Sequence, residues 1–213
     1  MRRAVYACLI ALLLIIPGRA VLAADSTAIA SRRVSPELLN SLREGGYILF
    51  VRHGEATVGE DHPNLVFSDC STQRNLSEEG KRNASLFGKA LRSLRIPIRT
   101  PVSASPFCRT RESAELAFGK ESVQPDPFWI RIYNLSGKVT TEEKDGTLKD
   151  LTSVLEKAPP SGTNQVIVAH SFPKGVGLGE IPYLGTVVVK PRGQGKGFDV
   201  VDKFSIDELL NSH

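Results

Sequence analysis

Four basic side chains define the chemistry this chain could do. Arg52 and His53 stand side by side, directly after the apolar run Tyr47-Ile48-Leu49-Phe50-Val51 and directly before Gly54. Arg109 follows Ser105-Pro106-Phe107-Cys108, and His170 follows Val166-Ile167-Val168-Ala169. Guanidinium forks bind phosphate oxygens in bidentate fashion and stay charged. A neutral imidazole can attack phosphorus, because histidine is among the side chains that form covalent intermediates. Two Arg and two His meeting in one crevice would therefore suit a phosphomonoester, whose transfer depends on positioning and electrostatic stabilisation. Each residue also has a plainer reading. A His after a strand is commonly structural, and an Arg before a helix is commonly a surface residue. The combination carries the weight: of four His in the chain, two end apolar runs and one of those is flanked by Arg.

The elements that must position these residues alternate along the chain. Residues 47–52 and 165–169 read as buried strands, and 101–105 as a shorter one. Ser35 followed by Pro36 opens a short helix over residues 37–43, which Gly45-Gly46 ends. Ser77 caps a second helix, with Glu78 and Glu79 in the first turn where the helix dipole favours acids. Leu86, Phe87, Ala90, Leu91 and Leu94 repeat there at helical spacing, up to Pro97. A third helix is expected over residues 108–118 and a fourth over 147–157, with Leu148, Leu151 and Leu155 on one face. Residues 130–133 read as extended. Residues 186–190 and 198–202 read as an antiparallel pair, and 206–210 as a terminal helix. The glycine-rich stretch 191–197 precedes a strand, not a helix, so it reads as a hairpin loop and not a phosphate cradle. Residues 56–74 form a polar loop of a length that is usually functional or mobile. Strands followed by helices predict an α/β fold, a three-layer α/β/α sandwich around a mainly parallel sheet. In such sheets ligands bind beyond the carboxyl ends of the strands, where Arg52, His53, Arg109 and His170 would converge.

The chain has 213 residues, 41% of them hydrophobic, enough for a normal core. Arg2 and Arg3, the apolar run over residues 4–16, the Pro17-Gly18 break and the small residues at Val21-Leu22-Ala23 read as a secretory signal peptide over residues 1–23. Residues 24–213 are then one domain. The apolar run is short for a bilayer span, which needs about 20 residues, so no stable membrane insertion is expected after cleavage. Without Arg2, Arg3 and Arg19 the 27 basic residues become 24, against 23 acidic ones, and the net charge falls from +4 to +1. No basic stripe remains to favour nucleic acid. The mature cysteines are Cys70 and Cys108. Export, with the periplasm as the expected compartment, would let this pair close as a disulfide; two buried free thiols are the alternative.

The motifs resemble those of a known family. Arg52-His53-Gly54 after an apolar strand is similar to the signature of the histidine phosphatase superfamily, the phosphoglycerate-mutase-like proteins. Ser105-Pro106-Phe107-Cys108-Arg109-Thr110 resembles that family's second motif and Val168-Ala169-His170 its third. The stretch from Arg74 to Gly80 resembles the helix opening that follows the first. The resemblance spans about residues 45–170. It implies that His53 is the nucleophile and becomes phosphohistidine, and that Arg52, Arg109 and His170 hold the phosphoryl oxygens. It implies no metal and no cofactor. The proton donor is left open: Ser171 stands where some relatives carry Asp, and Asp126, Glu142, Glu143, Asp145, Glu60 and Asp61 have no motif to choose among them. Asp61-His62 with His53 lacks a metal-ligand spacing. Leu76 and Ala114, six positions after the two cysteines, exclude a cysteine-phosphatase loop. The expectation is an exported bacterial histidine acid-type phosphatase acting on a small phosphorylated substrate or an envelope phosphoester. The alternative is a non-catalytic phosphate- or phosphosugar-binding module that retains the pocket.

Overall fold

The computed structural model describes residues 32–212, so the expected signal peptide lies outside the described residues. The central strands show why the sheet is sealed on both faces. In β1 (Ile48–Arg52), Leu49 and Val51 enter one core while Ile48 and Phe50 enter the other. β4 (Gln165–Ala169) divides the same way, Val166 and Val168 against Ile167 and Ala169. Strands buried on both faces read as unbroken apolar runs.

The first core is closed by α1 (Pro36–Glu44), α2 (Glu78–Ser93), α3 (Cys108–Phe118) and α6 (Ile206–Leu210). The second is closed by α4 (Ile130–Asn134) and α5 (Thr141–Leu155). The remaining strands are β2 (Val102–Ala104), β3 (Val123–Pro125), β5 (Thr186–Pro191) and β6 (Phe198–Phe204). The six-stranded order is β3-β2-β4-β1-β5-β6. The β1–β4, β2–β4 and β2–β3 pairs are parallel, and β5 and β6 add an antiparallel hairpin beside β1. This is the expected three-layer, mainly parallel sandwich. At the amino end of the sheet, buried Asn164 ties the layers together. Its side chain accepts from the Tyr47 N–H at 3.2 Å and donates to the carbonyls of Leu42 and Pro97 at 2.7 and 3.0 Å.

Two local expectations change, and one strand went unread. Residues 130–133 are helical. Asp126 caps a 3-10 turn over Pro127–Trp129 that runs into α4, and Trp129 and Ile132, three positions apart, are buried together. The isoleucines two apart had mimicked a strand period. α5 starts at Thr141, six residues earlier than the expected start at 147, because Thr140 and Glu143 form a capping box. Those first turns are exposed, so hydrophobic spacing is silent there. β3 is a three-residue edge strand, too short to leave a pattern. Among the described residues no helix is long and apolar enough to cross a membrane.

Candidate active site

The sheet itself brings the two imidazoles together. Arg52 pairs with Ala169 across β1 and β4, so the next residues, His53 and His170, leave neighbouring strands at the same height. The His53 N–H donates to the Ala169 carbonyl at 3.0 Å, and the ring centroids stand 5.3 Å apart, edge to face. β2 lies on the other side of β4. Its chain continues through Ser105, whose N–H donates to the Val168 carbonyl at 2.9 Å, into the first turn of α3 and Arg109. All four residues singled out from the sequence therefore stand at the carboxyl end of the sheet.

His53 has its tautomer fixed. Its Nδ1 lies 2.7 Å from the Gly54 carbonyl. A carbonyl only accepts, so Nδ1 carries the proton and Nε2 keeps its lone pair. The Gly54 peptide is in turn held: its N–H donates to Ser113 Oγ at 2.9 Å, and that hydroxyl donates to the Arg109 carbonyl at 2.7 Å. The start of α2 backs the same loop so closely that a Cβ on Gly80 would fall 2.1 Å from the Glu55 carbonyl oxygen. His53 and His170 are 3% and 4% exposed. Burial holds both well below the usual imidazole pKa, reinforced for His53 chiefly by the Arg109 charge and for His170 by His53 and then Arg109. Both rings are therefore neutral. His170 Nε2 sits 3.2 Å from the Ser105 hydroxyl, and Phe107 and Tyr133 pack against its ring with centroids at 4.8 and 5.1 Å.

The two arginines are tied at their ends. Arg52 donates from Nη1 to the Ile181 carbonyl at 2.8 Å and lies 4.0 Å over the Tyr183 ring. Arg109, 1% exposed, donates from Nη1 and Nη2 to the two oxygens of Asp61 at 2.8 and 3.1 Å. In each case the Nε–H is buried and has no partner among the described residues. An unmade hydrogen bond at a buried, charged donor is costly, and native structures hold few of them. Two such donors, in a cluster whose charge acts on both imidazoles, suit the oxygens of a tetrahedral oxyanion.

Asp61 is the member of the site that the sequence did not single out as Arg109's partner. Oδ1 accepts from Arg109 and from the Arg74 backbone N–H at 2.8 Å; Oδ2 accepts from Arg109 and from the Tyr133 hydroxyl at 2.9 Å. Burial alone would raise its pKa, but the donors from Arg109, Arg74 and Tyr133 outweigh that and hold it below the usual carboxylate value. The loop that carries it is strapped down by a disulfide between Cys70 and Cys108, so the pair is closed as expected. Cys108 directly precedes Arg109, and its N–H donates to Gln73 Oε1 at 2.8 Å. Arg74, Tyr133 and Tyr183 also went unread as site residues; the one signal was the length of the 56–74 loop. The other carboxylates considered as donors serve as caps or are exposed. Asp126 caps the 3-10 turn, Glu143 closes the α5 capping box with Thr140, and Glu60, Glu142 and Asp145 are exposed. His62 is exposed, and among the described residues no group of His, Cys, Asp and Glu side chains is arranged to hold a metal ion.

Residues 48–131, from β1 into α4, match the sequence profile of the histidine phosphatase superfamily (branch 1). Over those residues the chain is similar to that superfamily. No curated protein matches it in sequence. Among solved structures, it is similar to a protein of Escherichia coli K-12 MG1655 described as an alpha-ribazole-5'-P phosphatase. The identity is 12%, with 76% of this chain and 97% of that one covered, at a TM-score of 0.50. An Entamoeba histolytica phosphoserine phosphatase in complex with 3-phosphoglyceric acid aligns at 16% identity, covering 76% and 98%, with a TM-score of 0.49. The alpha-ribazole phosphatase of Shigella flexneri aligns at 12% identity, covering 75% and 96%, also at 0.49. At these identities the likeness is one of fold.

Proposed function

We propose that the protein is a phosphomonoesterase that works through a phosphohistidine on His53. The observation that carries this reading is the pair of buried, unpartnered guanidinium Nε–H donors beside a neutral imidazole whose Nε2 is free. In this reading Arg52 and Arg109 hold the phosphoryl oxygens, His170 lies against them as a further polar contact, and Nε2 of His53 attacks phosphorus in line with the leaving oxygen. Water then attacks the phosphoenzyme and releases phosphate. Preorganised donors in a dry site stabilise the developing charge without reorganising at the moment of reaction. The signal-peptide-like residues 1–23 and the closed cysteine pair support an exported, periplasmic enzyme.

The test is turnover of p-nitrophenyl phosphate by the purified protein, with and without chelator, together with a search for an acid-labile, alkali-stable phosphoenzyme. Turnover that survives chelator, with label on His53, is expected. Tight phosphate binding with no turnover of any ester would replace this reading with the binding module.

The buried imidazoles also set a pH dependence. His53 has a depressed pKa, so its nucleophilic form is present above about pH 6.5, the ordinary imidazole value. It persists as the pH falls below that value and is lost only through the lowered pKa. The acid limb of kcat/KM for p-nitrophenyl phosphate is expected well below pH 6.5. Between those two pKa values the unfolded chain binds more protons than the folded one, so stability also declines as the pH falls from about 6.5. An acid limb centred at or above 6.5 contradicts the buried, neutral site.

A further inference from the structure

We infer that this site is selective for phosphoryl groups whose leaving group departs without a proton from the protein, namely aryl and acyl phosphates, and discriminates against alkyl esters. The inference rests on the phosphohistidine reading above and adds the substrate class.

This selectivity follows from the protons the site can supply. Among the described residues, Asp61 is the carboxylate hydrogen-bonded to Arg109, and it accepts four hydrogen bonds, two on each oxygen. A carboxylate offers about four such positions, so all are filled and no oxygen carries a proton. The Tyr133 hydroxyl is already committed to Asp61, and burial together with the Asp61 carboxylate makes it harder to ionise. His170 is neutral, with Nε2 against the Ser105 hydroxyl. The guanidiniums do not release protons in proteins. Asp126 and Glu143 serve as caps elsewhere. Tyr183, whose ring centroid lies 4.0 Å from the Arg52 guanidinium carbon, carries a further O–H beside the site, and the experiment below includes it.

The chemistry that fits these groups balances without an acid. The Nε2 lone pair of His53 forms the N–P bond as the P–O bond to the leaving group breaks. The bonding pair departs on the leaving oxygen as a phenoxide or carboxylate, which takes any proton it needs from solvent. The His53 Nδ1–H stays on the Gly54 carbonyl. Water then forms a new P–O bond, the N–P pair returns to Nε2, and the surplus proton passes to solvent. A phenol ionises near pH 10 and a carboxylic acid near 4, so both anions leave unaided. An alkanol is about as weak an acid as water, near 15.7, and does not.

The test is the leaving-group dependence of kcat/KM over substituted phenyl phosphates, acetyl phosphate and glycerol 2-phosphate, in the wild type and in Asp61→Asn and Tyr183→Phe. The wild type is expected to show a steep fall with leaving-group pKa. Glycerol 2-phosphate should be at least about 100-fold slower than p-nitrophenyl phosphate, since a positioned acid is typically worth about 10²- to 10⁴-fold. Asp61→Asn should slow every substrate by a similar factor, as expected of a residue that positions Arg109, and Tyr183→Phe should leave the slope unchanged. A flat dependence in the wild type overturns the inference. So does a loss confined to glycerol 2-phosphate in either variant, which would make that residue the acid. Absence of turnover on every substrate, p-nitrophenyl and acetyl phosphate included, overturns the phosphatase reading as well and is told apart by that completeness.

Discussion

His53→Ala is expected to abolish turnover of p-nitrophenyl phosphate, with a loss on the order of 10⁴-fold or more, as when the nucleophile of a covalent mechanism is removed. The neighbouring imidazole offers no replacement. His170 Nε2 faces the Ser105 hydroxyl, and the two rings stand edge to face. The phosphoenzyme label should vanish together with turnover. Because His53 is buried and its Nδ1–H satisfies the Gly54 carbonyl, circular dichroism and the denaturation midpoint must accompany the kinetics. A folded variant that keeps a tenth of wild-type kcat/KM would exclude His53 as the nucleophile.

Arg109→Ala should fail in two separable ways. Loss of a preorganised donor to the phosphoryl oxygens is worth about 2.7–4 kcal/mol of transition-state stabilisation, or 10²- to 10³-fold in rate. The same change strips the buried Asp61 of both guanidinium hydrogen bonds. Breaking one half of a buried ion pair is destabilising by about 3–5 kcal/mol. The double variant Arg109→Ala with Asp61→Ala removes the orphaned charge. It should recover much of the stability and none of the activity, which a double-mutant cycle in urea resolves. Arg109→Lys should rescue neither, because an ammonium lacks the planar fork needed to engage Asp61 along one edge and an oxyanion along another. A kcat/KM within threefold of wild type for Arg109→Ala would remove this residue from the site.

What the sequence revealed follows from where side chains are buried. β1 and β4 were legible because both their faces lie in core, which writes them as continuous apolar runs. The four basic residues were legible because each sits at the end of a strand or the start of a helix, where a motif can mark it. Asp61, Arg74, Tyr133 and Tyr183 were not, since they reach the cluster from loops and a short helix that have no period. Asp61 is read as Arg109's partner only through a contact 48 positions away. The same physics explains α4 and α5. In α4 a five-residue helix with apolar residues two apart imitates a strand, and in α5 the first turns face water, where only the Thr140–Glu143 cap announces the helix.

The strand order has a bearing on biosynthesis. β4 lies between β1 and β2, although it is translated well after both. As the chain leaves the ribosome, the two earlier strands have no neighbour between them until residues 165–169 arrive, and their facing edges stay unpaired in the meantime. The segment that fills that slot also delivers His170, so completion of the sheet and assembly of the imidazole pair are one event. A nascent chain arrested before it would leave both edges of β1 and one edge of β2 bare to chaperones or to other chains, and it would lack one of the two rings.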